Sequence, residues 1–222
     1  MVLILPSHRP TDTSTFYVGA SNGTISNSPN VPGKVFDRFI QIWLENTDYS
    51  QALSNSVFQN LTAQGILLSN YFAVTHPSQP NYIASVGGDF FGLANDSLLD
   101  VPSNMSTIID LLDEQNISWA TYQENMPTDG YTGYNFTNPD NYTYYARKHN
   151  PCIIYDSISQ NSTRALRDRN FNDFAVDVGA VWLFCAIRLL NVYRSITIAS
   201  LSGYLSRLTS ESGSLYSVNA LR

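Results

Sequence analysis

Two stretches of this chain carry residue types that could do chemistry together. Glu45-Asn46-Thr47-Asp48-Tyr49 closes the apolar run Phe39-Ile40-Gln41-Ile42-Trp43-Leu44. Thr75-His76-Pro77-Ser78-Gln79-Pro80 leads into a helical pattern, Asn81-Tyr82-Ile83-Ala84-Ser85-Val86. The apolar run alternates too little for a half-exposed strand and predicts a buried strand of a parallel sheet. A carboxylate and an amide at the carboxyl end of such a strand lie where open α/β sheets place their ligands. Ser78 puts a hydroxyl at a helix start, whose N–H groups and positive dipole end favour a phosphate. Oxygen donors for a divalent metal ion at Glu45 and Asn46, with a hydroxyl nucleophile, predict metal-assisted phosphoryl transfer. The ion's identity is not encoded in so general a donor pair. A Gly-x-Ser-x-Gly elbow is missing, which disfavours a Ser-His-Asp esterase.

Further groups cluster around these two motifs. Thr75 is the competing hydroxyl. His76 and His149 could contact a phosphate or protonate a leaving oxygen. Arg147 and Lys148 could add positive charge, although solvated loop charges are the plainer reading. Asp48 could stand behind the metal ligands, and Asp89 could cap the Gly87-Gly88 turn. Neither belongs to the catalytic set.

The elements that must position these groups alternate between strand and helix. Phe36 to Leu44 reads as the first strand, and Ser50 to Gln64 as a helix closed by Gly65. Ile66 to Val74 reads as a second strand leading to the Ser78 turn. Ser106 is placed as the N-cap of a helix over Thr107 to Gln115, with Ile108, Ile109, Leu111 and Leu112 on its apolar face. Ile117 to Tyr122 reads as a third strand. Asn125 to Asn150, rich in Tyr, Asn and Gly, is expected to be a long loop. Such alternation implies an α/β sandwich.

Composition narrows the setting. Charged residues make up only 14% of the 222 residues, and the net charge is −6. With no basic stripe to neutralise phosphates, a nucleic-acid-binding surface is not expected. N-x-S/T occurs at Asn22, Asn60, Asn95, Asn104, Asn116, Asn135, Asn141 and Asn161. In a Tyr-rich, charge-poor chain these sequons predict a secreted or cell-wall glycoprotein. The start Met1-Val2-Leu3-Ile4-Leu5-Pro6 lacks the basic region and the length of a signal peptide. No run is long enough for a transmembrane helix. Cys152 and Cys185 allow one bridge or two separate thiols. The oligomeric state is not legible.

Residues 1–34 read as an irregular leader rich in Ser, Thr, Asn, Pro and Gly. Composition breaks again near Asp177. Every histidine, aspartate and proline lies at or before it, and from Val178 to Arg222 the only acidic residue is Glu211.

At this point the chain resembles a known family, the fungal acid phosphatases and phosphoesterases. These are relatives of bacterial phospholipases C within the alkaline-phosphatase-like superfamily. The likeness runs from about Phe36 to about Asp177, and its blocks are FIQIWLENTDY, SNYFAVTHPSQPNYIASVGGD, STIIDLLDEQNISWATYQENMP, YARKHNP and FNDFAVD. It implies an alkaline-phosphatase-like three-layer α/β sandwich with a mostly parallel central sheet. It also implies a metal on the Glu45-Asn46 pair and a covalent phospho-enzyme. Ser78-Gln79-Pro80-Asn81 looks like the Thr-Phe-Pro-Asn of related nucleotide pyrophosphatases, which makes Ser78 the nucleophile and gives Asn81 a phosphate contact. The implied reaction is hydrolysis of a small phosphate ester, with a phospholipase C-type phosphodiesterase as the alternative.

Relatives continue beyond the resemblance with Asp- and His-containing segments that supply further metal ligands. Residues 178–222 contain no counterpart. The expectation is therefore residues 35–177 as the N-terminal part of a phosphoesterase domain, truncated on its C-terminal side, followed by a frame-shifted or unspliced tail. On that basis the chain is expected to be a very poor phosphatase, and an inactive secreted glycoprotein or gene-model fragment is the rival from outside enzymes.

Overall fold

The computed structural model describes residues 39–45, 48–63, 65–137, 139 and 141–174. It also describes the backbone of 183–189, 198–201 and 215–219. The predicted leader lies outside the described residues.

A mixed sheet organises the fold. Strand β1 (Phe39–Glu45) lies between β7 (Leu183–Leu189) and β9 (Leu215–Asn219), parallel to both. β7 pairs in parallel with β3 (Trp119–Gln123), which pairs in parallel with β6 (Asp168–Asn170). On the other side β8 (Ile198–Leu201) runs antiparallel to β9, and β2 (Ile66–Leu67) antiparallel to β8. The order is β2-β8-β9-β1-β7-β3-β6. Residues 178–222, expected to be a tail, thus contribute three strands, and β7 separates β1 from β3.

All five residues of β3, Trp-Ala-Thr-Tyr-Gln, are buried. A strand covered on both faces shows this lack of alternation. Trp119 joins Ile83, Val86, Val101, Ile109, Ile154 and Tyr155 in one cluster. Ala120 and Tyr122, one residue out of phase, pack with Ile40 against Phe171 and Phe174. Opposite faces of the strand therefore enter different clusters, as its two-residue period requires.

The helix predicted over 50–64 is two helices, α1 (Tyr49–Ser54) and α2 (Ser56–Thr62). Asn55 between them is extended, and its side chain accepts a hydrogen bond from the N–H of Val57 at 2.9 Å. Ser54-Asn55-Ser56 offers the backbone side-chain partners that compete with a continuous helix. The cap of α2 is Ala63 rather than Gly65. The second strand stops at Leu67, and the irregular, turning chain beyond it exposes Leu68, Tyr71, Phe72 and Val74.

Helix α3 (Ser78–Gly87) follows and ends at Gly88 with φ of +77°, a left-handed position suited to glycine. Helix α4 (Ile108–Glu114) is capped by Thr107, not Ser106. Asp110 stands three residues after Thr107, so a reciprocal capping box can form there: Thr107 donates its N–H to Asp110 Oδ2 at 2.7 Å, and its Oγ1 accepts from the N–H of Asp110. The expected long loop contains an antiparallel hairpin, β4 (Asn135–Thr137) and β5 (Thr143–Ala146), and its end is buried from Tyr144 to Arg147 and at Asn150. Short helices α5 (Asp156–Ser159) and α6 (Ser162–Ala165) lead to β6.

Candidate functional site

Ser78 is the first residue of α3, and Asn81 shapes the chain that delivers it. The Asn81 side chain is buried. Its Oδ1 accepts from the N–H of Val74 at 3.0 Å and of Thr75 at 3.2 Å. Its Nδ2 donates to the carbonyls of Thr75 at 2.8 Å and Pro77 at 2.9 Å. The His76–Pro77 peptide within this turn is cis. Four bonds use the whole capacity of an amide. In this structure Asn81 therefore holds the turn before Ser78, and a phosphate contact would require one of those bonds to yield.

The other side of the helix start is held by a residue that sequence reasoning passed over. Asp96 Oδ1 accepts from the N–H of Gln79 at 3.0 Å, and its Oδ2 accepts from Lys148 Nζ at 2.8 Å. Gln79 itself is buried and donates through Nε2 to the carbonyl of Ser97 at 2.8 Å. One carboxylate thus ties the residue after Ser78 to the residue before His149. Lys148 is not a loose loop charge but half of a partly buried ion pair. Arg147 is buried, with its guanidinium on Asp100 and on the carbonyls of Leu99 and Ile153.

Aromatic packing joins the same three segments. Trp43 of β1 meets Tyr82 of α3 edge-on at 5.4 Å between ring centroids, and Tyr82 meets His149 edge-on at 5.8 Å. Tyr82 is completely buried between them. The strand ending in Glu45, the helix starting at Ser78 and the turn carrying His149 converge on that ring. His76 is exposed on the approach to Ser78.

Glu45 closes β1, but its side chain and all of Asn46 lie outside the described residues. Among the described residues no three His, Cys, Asp or Glu side chains come together as a metal set. The described donors alone therefore do not make a divalent metal site.

Within the paired strands β3 and β6, and in the turn at Asn150 packed on them, lies a buried polar network. Asp168 is fully buried, accepting from Thr121 Oγ1 and, at 2.6 Å, from Asn150 Nδ2. Burial pushes its carboxyl up to about 7, and nearby Asp129 adds to the rise while the bonds from Thr121 and Asn150 oppose it. Burial likewise raises the Tyr145 phenol, with the Asp168 charge reinforcing it. Arg169 pairs with Asp173 at 2.9 Å and approaches Asp129 at 3.7 Å. The partners of Asp96 lie 17 and 52 residues away, and Asn150 lies 18 from Asp168. No local pattern marks such pairs. The only signal on Asp96 was its place inside the sequon of Asn95.

Comparison with known proteins bears on what this arrangement does. The model of the phosphoesterase family matches residues 26–183, well over half of the chain. An acid phosphatase of Aspergillus fumigatus is 47% identical over 167 residues, covering 73% of this chain and 37% of that protein. A probable acid phosphatase of Kluyveromyces lactis is 51% identical over 150 residues, covering 67% of this chain and 36% of the relative. A phosphatidylinositol-3-phosphatase of Mycobacterium tuberculosis is 28% identical over 120 residues, or 51% of this chain and 37% of that protein. The chain thus spans little more than a third of the length of the relatives it matches. No solved structure matches it.

Proposed function

The chain belongs to the phosphoesterase family, and on that premise we propose that it carries the site of an acid phosphatase-type hydrolase of phosphoric esters. Convergence of β1, α3 and the 147–149 turn on Tyr82 supports this reading, because those three elements carry the Glu45, Ser78 and His149 motifs. Ser78 is the nucleophile. Its oxygen bonds to phosphorus, the ester oxygen leaves as the alcohol, and water then cleaves the phosphoserine to release phosphate. His76 and His149 contact the phosphoryl group or return the proton to the leaving oxygen. Asn81 keeps the approach to Ser78 in shape and serves as a phosphate contact when a turn bond yields to it. Glu45 and Asn46 would hold a divalent ion, which would supply Lewis-acid neutralisation of the phosphoryl charge.

The fold we propose for the whole domain is the alkaline-phosphatase-like three-layer sandwich, supported by the parallel centre of the sheet and by packing on both faces. We keep 178–222 as a segment of its own in sequence, because the family match reaches only residue 183, although its strands β7, β8 and β9 join the sheet. A secreted or cell-wall glycoprotein is the compartment we propose. All seven sequon asparagines among the described residues are exposed: Asn60, Asn95, Asn104, Asn116, Asn135, Asn141 and Asn161. No helix of the described residues is long and apolar enough to cross a membrane. A phospholipase C-type substrate is the second reading, favoured by Tyr71, Phe72 and Val74, which are exposed just before the Ser78 turn.

The test is trapping. The purified chain is mixed with p-nitrophenyl phosphate at acidic pH, quenched in acid and digested, and the peptides are weighed. We expect phosphate on Ser78 even where turnover is slow, and none in Ser78→Ala. Label on Thr75 instead, or none anywhere, would overturn the assignment.

A further inference from the structure

We propose that Asp168 is a proton-operated clamp: as a neutral acid it joins β3, β6 and the Asn150 turn, and when ionised it loosens that turn.

Asp168 is fully buried at the start of β6 and faces mainly neutral groups. Thr121 and Gln123 come from β3, Asn150 from the turn after His149, and Tyr145 from β5. Asn150 Nδ2 is shared between Asp168 and the Tyr145 hydroxyl, the latter at 3.1 Å. The nearby charge acting on Asp168 is another acid, Asp129. The neighbouring guanidinium of Arg169 is engaged by Asp173 and Asp129, and Arg147, which faces Tyr145, is held by Asp100. Among the described residues no cation forms an ion pair with Asp168. An ionised carboxylate there would be a buried charge with no counterion among the described residues, which is costly.

A neutral acid fits the same partners. Its O–H can donate to Thr121 Oγ1, which can accept as well as donate, while the other oxygen accepts from Asn150. Asn150 Oδ1 in turn accepts from the N–H groups of Cys152 at 3.1 Å and Ile153 at 3.2 Å. The protonation state of Asp168 is thereby transmitted to the segment directly after His149. The device does not depend on the identity of the nucleophile.

The sign follows from linkage. The folded carboxyl titrates near 7, against about 3.9 in an unfolded chain. Between those values the folded chain holds a proton that the unfolded chain has lost. This contribution to stability is therefore complete below the unfolded value. It declines as pH rises and is gone above the folded value, a change of about a thousandfold in the folding equilibrium. The paired surface carboxylates push the other way, so a matched variant is needed.

The experiment is urea unfolding of the chain and of Asp168→Asn across about pH 4.5 to 8. Asparagine reproduces the neutral acid's donor and acceptor. We expect the ratio of folding constants, wild type to variant, to fall steeply from the acidic to the neutral end. A ratio independent of pH would overturn the proposal. Should Asp168→Asn not fold, hydrogen exchange in the wild type decides. Protection of the Cys152 and Ile153 amides, corrected for intrinsic exchange, is expected to drop between about pH 5 and 8, and unchanged protection would overturn the clamp.

Discussion

Gly87→Ala tests how tightly the helix that begins at Ser78 is seated. A Cβ at Gly87 would collide with the Tyr155 hydroxyl oxygen and lie 3.0 Å from its Cζ. The Tyr155 ring is completely buried, and its hydroxyl donates to the carbonyl of Ile83 one turn back on α3 at 2.8 Å. The ring cannot yield without giving up that bond, worth about 1 kcal/mol, and straining a packed core, which costs about 1–3 kcal/mol. Against this, alanine in a helix gains about 1 kcal/mol over glycine. The net expectation is a loss of about 1–3 kcal/mol, read as a lower urea midpoint at unchanged slope. Tyr155→Phe alone should cost about 1 kcal/mol for the lost hydrogen bond. It also removes the atom that collides, so the double variant should be little worse than Tyr155→Phe, a coupling of about 1–2 kcal/mol. A neutral or stabilising Gly87→Ala, or strict additivity in the cycle, would refute the close approach as the reason for glycine.

Two further outcomes are expected. Asn81→Ala removes four hydrogen bonds around one turn and should cost about 2–4 kcal/mol while abolishing phosphate trapping on Ser78; unchanged urea stability would show that the turn stands without it. Secreted from a fungal host behind a working signal, the chain should shift on a gel after endoglycosidase treatment, and a secreted product with no shift would remove the extracellular reading.

What could be read in advance was local. The apolar run ending at Glu45 marked β1 because a strand buried on both faces needs no polar alternation, and the Ser78 motif marked α3 because its residues are close in the chain. The same locality explains the small errors. Ser106 and Thr107 are both good caps, and only the carboxylate three residues on decides between them. Ser54-Asn55-Ser56 sits in an apolar-periodic stretch, and its power to break the helix depends on side-chain bonds that periodicity ignores.

The sequence by itself determined the chemistry-bearing residue types, the family pattern that contains them, and the sequons. Tertiary structure decided which of them meet. It placed three strands of residues 178–222 in the sheet and put β7 between β1 and β3. It turned Lys148 toward Asp96, closed Tyr82 between Trp43 and His149, and left Asp168 buried among mainly neutral groups. Each of these depends on residues brought together across long separations, where partner choice is set by burial, packing and the cost of an unpaired polar group. None of those forces leaves a period or a spacing in the chain.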